Sequence, residues 1–319
     1  VEKKRKKILI SGLKILIGIL SFWIIYNRLV QIPHLKDQFL HLFSEPGMYL
    51  VIAVTLLLMP VNWGIESYKW KRITSQIQSV SYKTALKSVF SGICVGNLAP
   101  GRAMEFLAKI YFFKPENRPD VTVLHFINGM FQMLITVTVG LIAVSMKLNK
   151  TDSSSNFIYY VIAGGVCLIV FFCWAILNVS LIQSKLKLIK WFRVKDTTKI
   201  QFSGSLIIQL ITLSAIRYLV FTSQFFILFN ALSPQNNMLE TMLSISAYFM
   251  LTSLIPMVSF IEPAIRAAIA LFVFNGGDDT VIIVLCSTFV WIINVVVPSL
   301  IGYIIILREK IDFRSARAN

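Results

Sequence analysis

Charged side chains make up only 14% of the 319 residues, and acids are the scarcer kind, 15 Asp and Glu against 31 Lys and Arg. So little charge is incompatible with an ordinary water-facing surface. Histidine occurs three times, at His34, His41 and His125, which supports neither a zinc site nor a Ser-His-Asp set. The four cysteines, Cys94, Cys167, Cys173 and Cys286, lie in apolar segments without metal spacing and read as small packing residues. No P-loop or dinucleotide fingerprint is present. The polar connections reach only about twenty residues, too short for a separate catalytic domain. Neither an enzyme nor a cofactor is expected.

What the chain has is apolar length: 56% of its residues are hydrophobic and the mean hydropathy is +0.73. Runs near the ~20 residues needed to cross a bilayer begin at about Ile8, Gly47, Val121, Asn156, Ser203 and Val281. Two further segments, Thr84 to Phe113 and Met238 to Phe274, are long but interrupted. The run from Ile8 ends in "SFWIIYNR", without a small-residue cleavage pattern, and reads as a span rather than a signal peptide. The formal charge of +16 gathers in short blocks beside the spans, "EKKRKK" among them. This is the pattern of cytoplasmic flanks, and no nucleic-acid partner is expected.

Counting Lys and Arg orients the chain in the cell (inner or plasma) membrane. The N-terminus, the connection bearing Lys69, Lys71, Arg72, Lys83 and Lys87, residues 179–200 and the C-terminal end belong inside. Residues 28–46, 231–240 and "NGGDD" at 275–279 belong outside. These sides agree only if the two interrupted segments enter and return. The expected fold is therefore an all-α integral membrane protein, residues 1–319 forming one polytopic domain of six transmembrane helices plus two re-entrant helical hairpins. The order span, hairpin, span recurs upside down, giving an inverted repeat of residues 47–146 and 203–307. Paired interrupted segments in inverted halves point to a central site.

The residues at the interruptions are polar. Asn97, Pro100, Arg102 and Glu105 stand in the first, and Pro256, Glu262 and Arg266 in the second. Arg102 with Glu105 and Glu262 with Arg266 fall on shared helix faces, the first half-helix starting at about Ala103. Arg217 adds a charge in the middle of "LITLSAIRYLVFTSQ". Each ionised group at the bilayer centre costs about 2.5–3.5 kcal/mol, so all five should turn inward. The excess of Arg suits a phosphate-bearing headgroup, because the guanidinium fork matches phosphate. On this reading Arg102, Arg217 and Arg266 hold the headgroup, Glu105 and Glu262 set the Arg geometry or bind a cationic substituent, and Asn97 pairs backbone groups freed at the break. Asn128, Gln132, Gln224 and Asn294 are candidates to line the cavity. His125 reads as a satisfied interfacial residue. "LIQSKLKLIKWF" reads as an amphipathic stretch along the cytoplasmic leaflet.

The order Asn97, Pro100, Arg102, Glu105 resembles the "N-x-x-P-x-R-x-G-E" signature of the lysylphosphatidylglycerol synthetase/flippase transmembrane family, the membrane half of the multiple peptide resistance factor. "LIPMVSFIEPAIRAAIAL" is similar to that family's later Pro-to-Glu motif. The likeness runs from about Ile8 to Leu307. The chain departs from the pattern at Met104, where the family has Gly, and at "MVSFI" before Glu262. The resemblance implies translocation or binding of a membrane lipid headgroup. It does not imply lysyl transfer, which belongs to a soluble domain not found in these residues. Rival readings are a secondary transporter of a small anionic solute and a non-transporting membrane partner that presents lipid to a separate lipid-modifying enzyme. A homo-oligomer is compatible with each.

Overall fold

The computed structural model describes residues 47–97, 102, 104–148, 156–186, 199–234, 237–255, 257, 261–274 and 279–309. The described residues are helical, without strands: α1 Met48–Thr74, α2 Tyr82–Gly96, α3 Glu105–Tyr111, α4 Arg118–Leu148, α5 Asn156–Leu177, α6 Val179–Leu186, α7 Gly204–Leu232, α8 Met238–Leu254, α9 Glu262–Phe274, α10 Thr280–Trp291 and α11 Val297–Glu309. A π-helical turn, Ile292–Val296, joins α10 to α11. Local chemistry starts several of these helices. The side chains of Ser81, Ser203 and Asn237 accept from the backbone N–H groups of Thr84, Leu206 and Leu239, satisfying donors that a helix start leaves open.

Five stretches are long and apolar enough to cross a membrane: Met48–Thr74, Pro115–Lys147, Tyr159–Leu177, Gly204–Leu232 and Thr280–Glu309. Only 17% of the most apolar window of Tyr159–Leu177 is buried, and Val170, Trp174 and Leu177 project outward. A surface this apolar suits hydrocarbon, and the chain is a multi-pass membrane protein. The expected span from Ile8 lies outside the described residues, as do Pro100, Pro256 and most of the expected amphipathic stretch after Leu186.

Both interrupted segments fold as antiparallel helical hairpins. In the first, Ser88 Oγ donates to the Lys109 carbonyl at 3.0 Å, Gly92 meets Lys109 and Glu105, and Gly96 meets Glu105 and Arg102. In the second, Tyr248 stands close to Arg266, and Lys147 joins Ser244 at 2.7 Å to the Val273 carbonyl at 2.8 Å. The first returning helix begins at Glu105 rather than Ala103 and has seven residues.

The outgoing hairpin helices pack lengthwise on the long helices. Outgoing α2 lies antiparallel to α11, with Lys87 paired to Glu309, Asn97 donating to Ser299, and Gly302 pressed on the Phe90 carbonyl. Outgoing α8 lies antiparallel to α4, where Gly140 meets Met250 and Lys147 meets Ser244. Between these pairs α1 and α7 also run antiparallel, joined through Thr55 and Gln224, Asn62 and Arg217, Lys69 and Ser214, and Arg72 and Gln209. Helix α1 continues past Glu66 to Thr74, which corrects the placement of Lys69. That side chain has no exposure and belongs to the interior, not to a cytoplasmic loop.

Candidate functional site

The long helices and both hairpins enclose a cavity of about 610 Å³. Its polar wall is built around Glu66, in the second half of α1. Glu66 Oε1 accepts from Asn128 Nδ2 at 2.7 Å. Its Oε2 lies 3.2 Å from Lys69 Nζ and 3.1 Å from Arg217 Nη1. Arg217 is further fixed by its Nε, which donates to Asn62 Oδ1 at 3.0 Å, and by Nη1, which reaches Gln132 Oε1 at 3.4 Å. Its guanidinium stands 4.9 Å from the Trp63 ring centroid, a cation–π contact. Lys69 Nζ also donates to Ser214 at 3.2 Å.

The hairpins supply the rest of the charge. On α3, Glu105 pairs with Lys109 at 2.7 Å, and Lys109 stands 5.1 Å from the Trp70 ring centroid. On α9, Glu262 pairs with Arg266 at 2.8 Å. Both pairs are four residues apart with the acid first, the favourable order on a helix. Arg102 lies before α3 with φ of 56°, in the left-handed region where a side chain costs about 1–3 kcal/mol. It is the one non-glycine residue with positive φ among those described. It also lines the cavity, and strain of this kind collects where a side chain must be aimed.

Seven of the ten expected residues meet here: Arg102, Glu105, Asn128, Gln132, Arg217, Glu262 and Arg266 all line the cavity. The other three do not. Asn97 sends its Nδ2 to Ser299 and ties α2 to α11, outside the cavity lining, while the backbone of the break that it is expected to pair lies mostly outside the described residues. Asn294 accepts from Asn62 and donates to Gln224, each at 2.9 Å, while Gln224 donates to the Thr55 carbonyl at 2.9 Å. These two form a ladder between α1, α7 and the π turn, because interhelical bonding satisfies them better than a wet wall would. The expected pairing of Arg102 with Glu105 is also replaced. Glu105 takes Lys109, since Arg102 precedes the helix and cannot share its face.

Glu66, Lys69, Lys109 and Trp63 were not anticipated. For the charged three a signal was available: Glu66 and Lys69 are three apart on one helix, and Lys109 follows Glu105 at the spacing of Glu262 and Arg266. His125 differs from expectation too. It lines the cavity, its ring packs against Trp70 and Phe126, and its buried Nδ1 has no hydrogen-bond partner among the described residues.

Around this charged wall the lining turns apolar. Phe126, Leu254 and Ile255 border the cavity and are themselves exposed, Phe126 by 50%. Gly129 adds no bulk there, with open space where a Cβ would stand. The cavity thus joins a cationic interior to an apolar outer surface, an arrangement suited to an amphiphile with an anionic head. No protein-family model matches the chain, and no curated protein matches it.

Proposed function

We propose that the protein receives the phosphate-bearing headgroup of a membrane lipid in this cavity and moves it between leaflets, as its resemblance to the lysylphosphatidylglycerol synthetase/flippase transmembrane family implies. The observation that carries this reading is the junction of Arg102, Arg217 and Arg266 with the exposed apolar rim of Phe126, Leu254 and Ile255. The arginines suit a phosphate. The rim suits acyl chains that remain in hydrocarbon while the head is enclosed. A pore for a water-soluble anion has no use for such a rim.

The proposal includes six spans with two re-entrant hairpins, arranged as an inverted repeat of residues 47–146 and 203–307. Three features support it. Glu105 and Lys109 match Glu262 and Arg266 in order and spacing. Helices α1 and α7, the first spans of the two halves, pair antiparallel. Each outgoing hairpin helix packs on the last span of the opposite half, α2 on α11 and α8 on α4. Inverted halves exchanging such contacts are the architecture on which alternating access depends.

Reconstitution of the purified chain into liposomes carrying a headgroup-labelled phospholipid tests the function. Protein-dependent exchange between leaflets, lost in Arg217→Gln, is expected. Wild-type exchange by a well-folded Arg217→Gln protein refutes the assigned site. Retention of lipid without any exchange favours the presenting partner, and uptake of a small anion without lipid exchange favours the solute transporter.

A further inference from the structure

The charges around the cavity do not balance, and the imbalance can be assigned to particular side chains. Five cations, Lys69, Arg102, Lys109, Arg217 and Arg266, stand against three carboxylates, Glu66, Glu105 and Glu262. Lys109 and Arg266 each have a carboxylate of their own. Glu66 Oε2 is shared between Lys69 and Arg217. Of those two, Lys69 is fully enclosed, whereas Arg217 keeps 14% of its side-chain surface and faces the cavity. Arg102 forms no ion pair among the described residues, although it stands near enough to attract both Glu105 and Glu262. The residues completing the hairpin connections, 98–101, 103, 256 and 258–260, include no ionisable side chain. Nothing there adds a carboxylate.

Two positive charges are therefore left over, one at Arg102 and one at Arg217, on different elements lining a single cavity. Uncompensated charge away from water is costly unless a partner neutralises it. A singly charged phosphodiester would leave half of the excess in place. A phosphate with two negative charges removes it all and offers enough oxygens for two guanidinium forks. The strained backbone at Arg102 fits this role, since it fixes a cation that no protein carboxylate holds.

We propose that Arg102 and Arg217 jointly hold a doubly negative phosphate group, a phosphomonoester or a diphosphate, in preference to the singly charged phosphodiester of common phospholipids. This rests on the lipid reading for its source, since free inorganic phosphate offers the same chemistry. The test uses the full chain in phosphatidylcholine nanodiscs at pH 8, where a phosphomonoester with a second pKa near 6 carries close to two charges. The nanodiscs are doped equally with phosphatidic acid and phosphatidylglycerol, and the lipids retained on gentle extraction are counted by mass spectrometry. Phosphatidic acid should be retained about tenfold over phosphatidylglycerol, the effect of one charge-assisted hydrogen bond. Arg102→Gln, which breaks no ion pair, should bring that ratio close to one while the protein stays folded by circular dichroism and elutes as a single species. Equal retention of the two lipids by the wild type, or an unchanged ratio in folded Arg102→Gln, overturns the proposal and leaves the lipid reading standing. Displacement of phosphatidic acid by equimolar inorganic phosphate supports the dianion site and overturns the lipid reading instead.

Discussion

Replacing Glu66 with Gln preserves the shape of the side chain and removes the one negative charge shared by Lys69 and Arg217. The amide oxygen can still accept from Asn128 as Oε1 does, but the amide nitrogen, a donor, then faces Lys69 and Arg217 where Oε2 accepted, so the charge and both pairings are lost together. Removing one partner of a buried ion pair costs about 3–5 kcal/mol, because the other charge remains buried. The burden falls unequally. Arg217 retains Asn62, Gln132 and the Trp63 face, whereas Lys69 retains only the Ser214 hydroxyl and has no solvent exposure. Most of the cost should therefore come from Lys69. Adding Lys69→Met, which substitutes an apolar chain of similar reach, should recover at least half of it. Equilibrium unfolding in mixed micelles, extrapolated linearly in denaturant, measures both variants. A Glu66→Gln cost below about 1 kcal/mol, or a double variant no more stable than the single one, would refute the assignment of Glu66 as the shared counter-ion.

Three further outcomes are expected. Arg102→Gly should leave stability unchanged or raise it by about 1 kcal/mol, since glycine tolerates φ of 56°, yet it should weaken retention of anionic lipid; a clear loss of stability would contradict the strain. Gly302→Ala places a Cβ 2.0 Å from the Phe90 carbonyl oxygen, so it should separate α2 from α11 at a cost of about 1–3 kcal/mol in the same unfolding assay. Single cysteines at Lys114 and Met238, both exposed, should react with an impermeant maleimide from opposite sides of the membrane, and reaction from one side would eliminate the inverted topology.

The legible part of this fold was what hydrophobic length and charge placement dictate. The apolar runs from Gly47, Val121, Asn156, Ser203 and Val281 all appear as long helices, because a spanning segment must be both apolar and internally hydrogen-bonded. The hairpins were legible as breaks, and the inward arginines as charges too costly to face lipid. Errors arose where one residue type has two uses. Lys69 counts as a topology signal when read along the chain, but a carboxylate one turn earlier and a facing helix place it inside. Gln224 and Asn294 are polar in apolar surroundings, which marks a cavity or an interhelical bond equally well. Only the location of Asn62 and the Thr55 carbonyl decides. Lys109 escapes a reading along the chain because Arg102 competes for Glu105 on spacing alone, and only the start of α3 at Glu105 takes Arg102 off that helix face.

The π-helical turn at Ile292–Val296 determines the rotational phase of the last helix. Such a turn accommodates one residue more than the regular spiral, and each residue of an α-helix advances the side-chain direction by about 100°. Asn294 sits within the turn and reaches both Asn62 and Gln224, while Ser299 and Gly302 beyond it reach Asn97 and Phe90. One uninterrupted helix would not aim both sets at once: with Asn294 held in place, Ser299 and Gly302 would swing about a quarter-turn off α2. The inserted residue thus lets a single rod serve two neighbours at different azimuths. Shortening this stretch by one position would misalign everything after it without altering any side chain's chemistry.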